Sequence, residues 1–127
     1  MLPRLSNVPQ LNNVVSDYLS ELQKQHFEGD IASNYADRLS LATDNSVYQQ
    51  LPQAILFPKS VADVVRITKL ANKEKYLQLT FTPRGGGTGT NGQSINNNII
   101  VDLSRHMTGI LELNIEERWV RVQAGVV

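Results

Sequence analysis

The feature that most constrains this chain is a glycine cluster from Gly85 to Gly92, which holds five of the eight glycines among 127 residues. Glycine reaches positive φ without the cost of ~1–2 kcal/mol that other L-residues meet, and it lets backbone approach a neighbour closely. Such a cluster does not suit the interior of a helix or strand, where each glycine costs roughly 0.5–1 kcal/mol. The segment therefore predicts a loop between two structured elements.

Hydrogen-bond donors surround these glycines. Successive backbone N–H groups in such a loop can converge on phosphate oxygens and form an anion-binding nest. No acidic residue occurs between Thr82 and Asn98 in the sequence, so nothing there predicts repulsion of a phosphate. The side chains that could add donors are the hydroxyls of Thr88, Thr90 and Ser94, the amides of Asn91 and Gln93, and the guanidinium of Arg84.

Three other interpretations of the glycines are possible. Residues 87–92 match the G-x-G-x-x-G pattern of a Rossmann turn, but that turn opens a helix, whereas Ser94 to Asn98 leads into a predicted strand. A Walker A loop is excluded, because no lysine followed by serine or threonine closes the run. A glycine-rich turn without any ligand remains the alternative.

Apolar periodicity predicts the surrounding elements, and together they give an α+β fold class. Ser60 followed by Asp63 resembles a capping box at a helix start. A polar connector with short helical turns is expected over 26–51. The predicted helices cover 10–25 and 60–73, and the predicted strands cover 54–57, 76–81, 98–103, 109–114 and 118–124, the last two as an antiparallel hairpin.

Composition limits the function classes. Lysine plus arginine and aspartate plus glutamate both count 12, so no bulk charge favours nucleic acid or an anionic membrane. The absence of cysteine excludes a disulfide, a cysteine–zinc site or an iron–sulfur cluster in this segment. No secretory signal precedes the first helix, which predicts a cytoplasmic location, and the final apolar run suggests a domain incomplete at its C-terminus.

Residues 83–94 resemble the pyrophosphate loop of FAD-linked oxidases of the vanillyl-alcohol-oxidase, or PCMH-type, class. The flanks 48–65, 99–105 and 122–126 resemble the strands and helix around that loop. The resemblance covers 39–127 as the first part of an FAD-binding domain, with 1–38 as an N-terminal helical extension. The chain looks most like the start of the long bacterial D-2-hydroxyglutarate dehydrogenases and their D-lactate dehydrogenase and glycolate oxidase relatives.

The resemblance implies FAD as cofactor and oxidation of a 2-hydroxy acid by hydride transfer to flavin N5, with the substrate on a further domain. FAD would be non-covalent, because Gly87 and Thr88 stand where some relatives carry the attaching histidine. An iron–sulfur region would lie only in a C-terminal part outside this chain, and this segment alone would be inactive. The implied cofactor-binding set is Pro83, Arg84, Gly85, Gly86, Gly87, Thr88, Gly89, Thr90, Asn91, Gly92, Gln93 and Ser94. The alternative is a non-enzymatic nucleotide- or phosphate-binding module.

Other residues receive weaker assignments. His26 and His106 are interpreted as structural or exposed. Asp44 and Tyr48 are secondary candidates for flavin contact, against helix capping by Asp44 and core packing by Tyr48. The apolar stripe of the first helix predicts packing, with homo-oligomer formation through Val14, Tyr18 and Leu22 as the alternative.

Overall fold

The computed structural model describes residues 9–127. Its elements, in chain order, are α1 (Asn13–Lys24), β1 (Asp30–Ala32), α2 (Tyr35–Ser40), β2 (Ala54–Phe57), α3 (Val61–Ala71), a 3-10 turn (Glu74–Tyr76), β3 (Phe81–Arg84), β4 (Ile99–Asp102), β5 (Ile110–Asn114) and β6 (Trp119–Val122). The predicted α+β class is confirmed.

A mixed sheet with strand order β1-β2-β4-β3 organises the described residues. Strand β4 pairs in parallel with β2 on one side and with β3 on the other, so Ile99 lies opposite both Ala54 and Phe81. Strand β1 closes the far edge by antiparallel pairing with β2. Because β3 and β4 are parallel neighbours, the chain leaving β3 must return along the sheet before β4 begins.

The two central strands are buried along their whole length, because both sheet faces are covered. Side chains alternate between the faces. Ala54, Leu56, Ile99 and Val101 join the larger core with α1 and α3, whereas Ile55, Phe57 and Ile100 form a smaller cluster with Ala32 and Leu41. Helices α1 and α3 therefore lie on one face, and the segment that begins at the end of α2 covers the other.

Helix α1 packs into the larger core. Asn12 caps it by accepting a hydrogen bond from the Val14 amide at 2.9 Å. Tyr18 and Leu22 are fully buried, and the Tyr18 hydroxyl donates to the Ile67 carbonyl of α3 at 2.9 Å. The packing interpretation of this stripe is confirmed, and Tyr18 and Leu22 are not available to a second copy. The division of the chain at residue 38 stays a prediction.

Helix α3 begins as the sequence predicts, but its capping box is only half formed. The Ser60 hydroxyl accepts from the Asp63 amide at 3.2 Å. The Asp63 carboxylate accepts instead from the amides of Lys59 and Glu28, each at 3.0 Å. The buried carboxylate thus ties the segment after α1 to the start of α3.

Two sequence predictions were wrong. The connector over 26–51 contains β1, a strand of three residues that is too short for a periodic signal and forms through pairing with β2. The predicted strand 76–81 begins only at Phe81, because the chain leaving α3 turns first: the Tyr76 amide donates to Lys73 and the Leu79 amide to Tyr76. The turn places the Tyr76 ring edge-on against Tyr18, with centroids 5.1 Å apart.

The predicted hairpin is confirmed. Strands β5 and β6 form a separate two-stranded antiparallel sheet in which Leu113 lies opposite Val120. The register is irregular between Ile110 and Glu112, and the apolar side chains Ile110, Leu113 and Val120 are exposed.

A charge cluster joins α1 to the turn after α3. Glu21 contacts Lys73 and Lys75, and the single Tyr76 hydroxyl lies within hydrogen-bond distance of both Glu21 Oε2, at 2.8 Å, and Asp17 Oδ2, at 2.7 Å. Hydrogen bonds from Lys73, and then from Lys75 and Tyr76, lower the pKa of Glu21 to about 2. The ionised carboxylate is therefore favoured in the folded chain.

Replacing Glu21 by glutamine tests this cluster. Since the folded pKa of about 2 lies below the ordinary value of 4.5, the stabilisation is complete above the ordinary value and is lost as pH falls towards 2. We expect Glu21→Gln to lower Tm near neutral pH, and the Tm difference from the unmodified chain to shrink below pH ~4. Thermal unfolding by circular dichroism at several pH values measures this. Glu116→Gln, at an exposed turn position, is the control, and a constant difference for Glu21→Gln at every pH would contradict the account.

Candidate phosphate-binding loop

The glycine loop begins where β3 ends, at the carboxyl edge of the parallel strands. Successive side chains of β3 point to opposite faces of the sheet, so Thr82 and Arg84 share one face. Both contact the loop from that face. Pro83 instead lines an apolar cavity of about 500 Å³ beside α3, together with Ile67, Phe81 and Val101. The structure thus brings Arg84 to the loop and turns Pro83 away from it.

Arg84 holds the base of the loop. One terminal nitrogen, Nη2, donates to the Thr43 carbonyl at 2.9 Å, and Nη1 lies 3.4 Å from the Ser94 carbonyl. The guanidinium therefore links the start of the loop, its end and the segment before β2. A direct contact between Arg84 and phosphate stays a prediction.

An acidic residue does reach the loop, although none occurs within its sequence. The Ser94 hydroxyl donates to Asp44 Oδ2 at 3.0 Å, and the Ser46 amide donates to Asp44 Oδ1 at 2.8 Å. Hydrogen bonds from Ser46, and then from Ser94, lower the pKa of Asp44 below its usual value. Asp44 caps a turn rather than a helix. Its carboxylate also contacts Ser94, where the chain leaves the loop.

Asn96 is a second residue that the sequence analysis missed. It is buried, and its Nδ2 donates to Thr82 Oγ1 at 2.7 Å and to the Ile99 carbonyl at 3.1 Å. Its Oδ1 accepts from the Asn98 amide at 2.7 Å. One side chain thus fastens the returning chain to the start of β4.

The tip of the loop differs from its base. In the described part of the chain, no hydrogen bond is made by the backbone N–H groups of residues 85–90. The Asn91 amide, just beyond them, donates to Gln93 Oε1 at 3.0 Å. Gly85, Gly86, Thr88 and Thr90 are exposed. Six consecutive backbone donors therefore have no hydrogen-bond partner among the described residues.

The glycines of the loop serve different purposes. Gly87 and Gly92 have φ values of 67° and 75°, a region that favours glycine. A Cβ on Gly89 would overlap the Gln93 amide. A Cβ on Gly85 would meet nothing within 4 Å, and one on Gly86 would make only an ordinary contact with Thr88 at 3.6 Å. Neither of these two has positive φ, so the fold itself does not require glycine there.

The secondary candidates are placed as follows. Tyr48 is 59% exposed and lies beside Gly92, so the core-packing interpretation was wrong. His106 Nε2 is 2.6 Å from Asp30 Oδ2, which ties the chain after β4 to β1 and agrees with a structural role. His26 has a φ of 59° directly after α1.

The rejection of a Rossmann turn is confirmed by the element after the loop. Residues 85–98 contain no helix, and the next element is the strand β4. The amides at the tip are therefore those of an irregular crossover loop and not of a helix N-terminus.

Membrane spans and metal clusters are both absent from residues 9–127. No helix in that range is long and apolar enough to cross a membrane. That part of the chain also holds no group of three or more histidine, cysteine, aspartate or glutamate side chains arranged to bind a metal ion.

Comparisons with known proteins show the family and the fold of this chain. Residues 52–127 match the family model described as FAD binding domain. The chain is 80% identical to the D-2-hydroxyglutarate dehydrogenase of Haemophilus influenzae and 58% identical to that of Escherichia coli, over 100% of this chain and 12% of each relative. Alkyldihydroxyacetonephosphate synthase matches the structure with a TM-score of 0.76 and 19% identity, over 98% of this chain and 25% of that chain. The predicted fold resemblance is confirmed.

Alanine at two neighbouring glycines tests the division of roles. We expect Gly87→Ala to destabilise the fold by about 1–2 kcal/mol, because its φ is positive. Gly86→Ala should leave stability unchanged or raise it by about 0.4–1 kcal/mol, because alanine reduces the freedom of the unfolded chain. Urea unfolding of the two variants and the unmodified chain provides the comparison. An equal loss in both variants would mean that Gly86, too, is required by the fold.

Proposed function

This chain belongs to the FAD-binding-domain family, and on that basis we propose that its glycine loop holds the pyrophosphate of FAD in a flavin-dependent oxidoreductase. The proposed reaction is oxidation of a 2-hydroxy acid of the D-2-hydroxyglutarate or D-lactate type. The chain spans 12% of the length of its D-2-hydroxyglutarate dehydrogenase relatives, so the substrate site is assigned to sequence outside this segment.

One observation carries the proposal: six consecutive amides from Gly85 to Thr90 make no hydrogen bond within the described residues. Two glycines among them, Gly85 and Gly86, have no steric or conformational reason to be glycine. Close approach of a ligand supplies that reason, since a Cβ at either position would stand between the backbone and a bound anion. A pyrophosphate fits this arrangement because it offers several oxygens to a row of donors.

The proposed roles follow from the position of each residue. The amides of Gly85, Gly86, Gly87 and Gly89 contact the pyrophosphate, and the exposed Thr88, Thr90 and Asn91 add side-chain donors. Ser94 and Arg84 fix the base through Asp44 and Thr43. Gly87 and Thr88 offer no histidine for attachment, which supports non-covalent binding.

When bound, FAD supplies the redox chemistry by accepting a hydride from the carbon that bears the hydroxyl group. The residues of this chain bind and orient the cofactor and are assigned no proton transfer. A cytoplasmic location and a homo-oligomeric state stay predictions.

The full-length protein that carries this segment provides the test. We expect it to purify with flavin absorbance near ~450 nm, a property of the cofactor itself, and to reduce that flavin when D-2-hydroxyglutarate or D-lactate is added. A colourless protein that fails to take up added FAD would refute the proposal. A protein that binds ADP and FAD equally weakly, without turnover, would instead support the nucleotide-binding module.

A loop variant gives the residue-level prediction. In the full-length protein, Gly86→Ala should weaken FAD binding at least about tenfold, equivalent to ~1.4 kcal/mol, because the added methyl group holds the phosphate away from the amides. Thr90→Ser is the matched control, since it preserves both the amide and the hydroxyl. FAD affinity is measured by flavin fluorescence after removal and readdition of the cofactor. Undiminished affinity in a folded Gly86→Ala protein would show that the pyrophosphate lies elsewhere.

A further inference from the structure

An apolar groove lies between α3 and β3, on the face of the sheet that carries α1 and α3. It is the cavity of about 500 Å³ to which Pro83 contributes, and none of the described residues that line it is charged. Ile67 and Val101 in its wall are buried, whereas Leu77 is 64% exposed and Pro83 is exposed as well. Contiguous apolar surface that faces solvent marks an interaction site.

The groove is as wide as a helix. Phe81 and Pro83 of β3 and Val101 of β4 form its floor. Neighbouring strands lie about 4.8 Å apart, so two strands offer a floor of about 10 Å. An α-helix with its side chains is roughly 10–12 Å across. Because α1 and α3 already pack into the core on this face, a further helix beside α3 would continue the same layer.

The free edge of β3 does not suit a strand. The carbonyls of Thr80 and Arg84 accept hydrogen bonds from β4 and from the residue after it. Backbone groups of alternate strand residues point the same way, so those of Phe81 and Pro83 point away from β4. Proline has no N–H, and an added strand would therefore lose a hydrogen bond at Pro83.

The groove is also too small to hold a second copy of the chain by itself. Eleven residues line it, whereas a stable interface between separate molecules takes about 20–30 residues from each side. A segment of the same polypeptide needs less contact, because its linkage gives it a high effective concentration. The D-2-hydroxyglutarate dehydrogenase relatives contain such additional sequence, since this chain spans 12% of their length.

We propose that the groove is an interaction surface for an amphipathic helix of the same polypeptide, contributed by sequence outside these 127 residues. The helix lays an aliphatic stripe on β3 and β4 and brings no charge into the groove, because the wall offers none to pair with it. The Thr68 hydroxyl in the wall already donates within α3, to the carbonyls of Val64 and Val65 at 3.1 Å. Apolar contact therefore supplies the affinity. The proposal does not depend on which ligand the glycine loop binds.

Photo-crosslinking in the full-length protein identifies the occupant. The photoreactive residue p-benzoylphenylalanine replaces Leu77, and cross-linked peptides are identified by mass spectrometry. We expect an intramolecular cross-link to a peptide outside residues 1–127 whose apolar residues recur at spacings of three and four. The same residue in place of Lys69, which is exposed on α3 and does not line the groove, is the control and should not give that cross-link. A cross-linked dimer, or the absence of any cross-link from position 77 to sequence outside residues 1–127, would overturn the proposal.

A matched pair of substitutions at Thr68 tests the chemistry of the contact. Thr68 is exposed among the described residues, so either substitution is tolerated by the segment itself. In the protein that carries the photoreactive residue at position 77, Thr68→Asp places an unpaired charge beneath the helix and should lower the cross-link yield about tenfold. Thr68→Val keeps the shape without a charge and should preserve the yield. Circular dichroism shows whether each variant folds, and an undiminished yield in folded Thr68→Asp protein would contradict an apolar contact.

Discussion

The parallel pairing of β4 between β2 and β3 is the constraint from which the position of the glycine loop follows. Strand β3 ends at Arg84, at the carboxyl end of the parallel strands, and β4 starts at Ile99, at their amino end. Parallel neighbours require a crossover, and a helix is the usual connection. Here residues 85–98 make the return without a helix. The chain therefore crosses back as exposed backbone, and its amides are not used up by helical hydrogen bonds.

The loop combines a fixed base with a free tip. Arg84, Ser94 and Asn96 fasten the base to Thr43, Asp44 and Thr82, so the entrance and the exit are held by side chains at distances of 2.7 to 3.4 Å. The tip from Gly85 to Thr90 makes no backbone hydrogen bond to the described residues. An anchored loop loses less freedom when a ligand binds than a free one does, which favours affinity. Helices α1 and α3 pack into the larger core on one face of the sheet and are not among the hydrogen-bond partners of the loop.

The sequence allowed most of the regular elements to be predicted, because their signals are local. The spacing of Tyr18 and Leu22 gave α1, and apolar runs gave β2 and β4. Strand β1 could not be predicted, because three residues are too few to show an alternating apolar pattern and because the strand forms only by pairing with β2. The contact of Ser94 with Asp44 spans 50 positions, and no local pattern predicts it. For the same reason, the sequence could not distinguish Gly87 and Gly92, whose positive φ favours glycine, from Gly85 and Gly86, where the fold does not require glycine.

The most direct test of the account follows the backbone amide signals of the 15N-labelled chain during titration with pyrophosphate. The account predicts that the amides of Gly85 to Thr90 show the largest saturable shifts, while those of Ser94 and Asn96 at the fixed base move little. Saturable shifts confined to other parts of the chain, with the tip amides unchanged, would contradict the claim that this loop is a phosphate site.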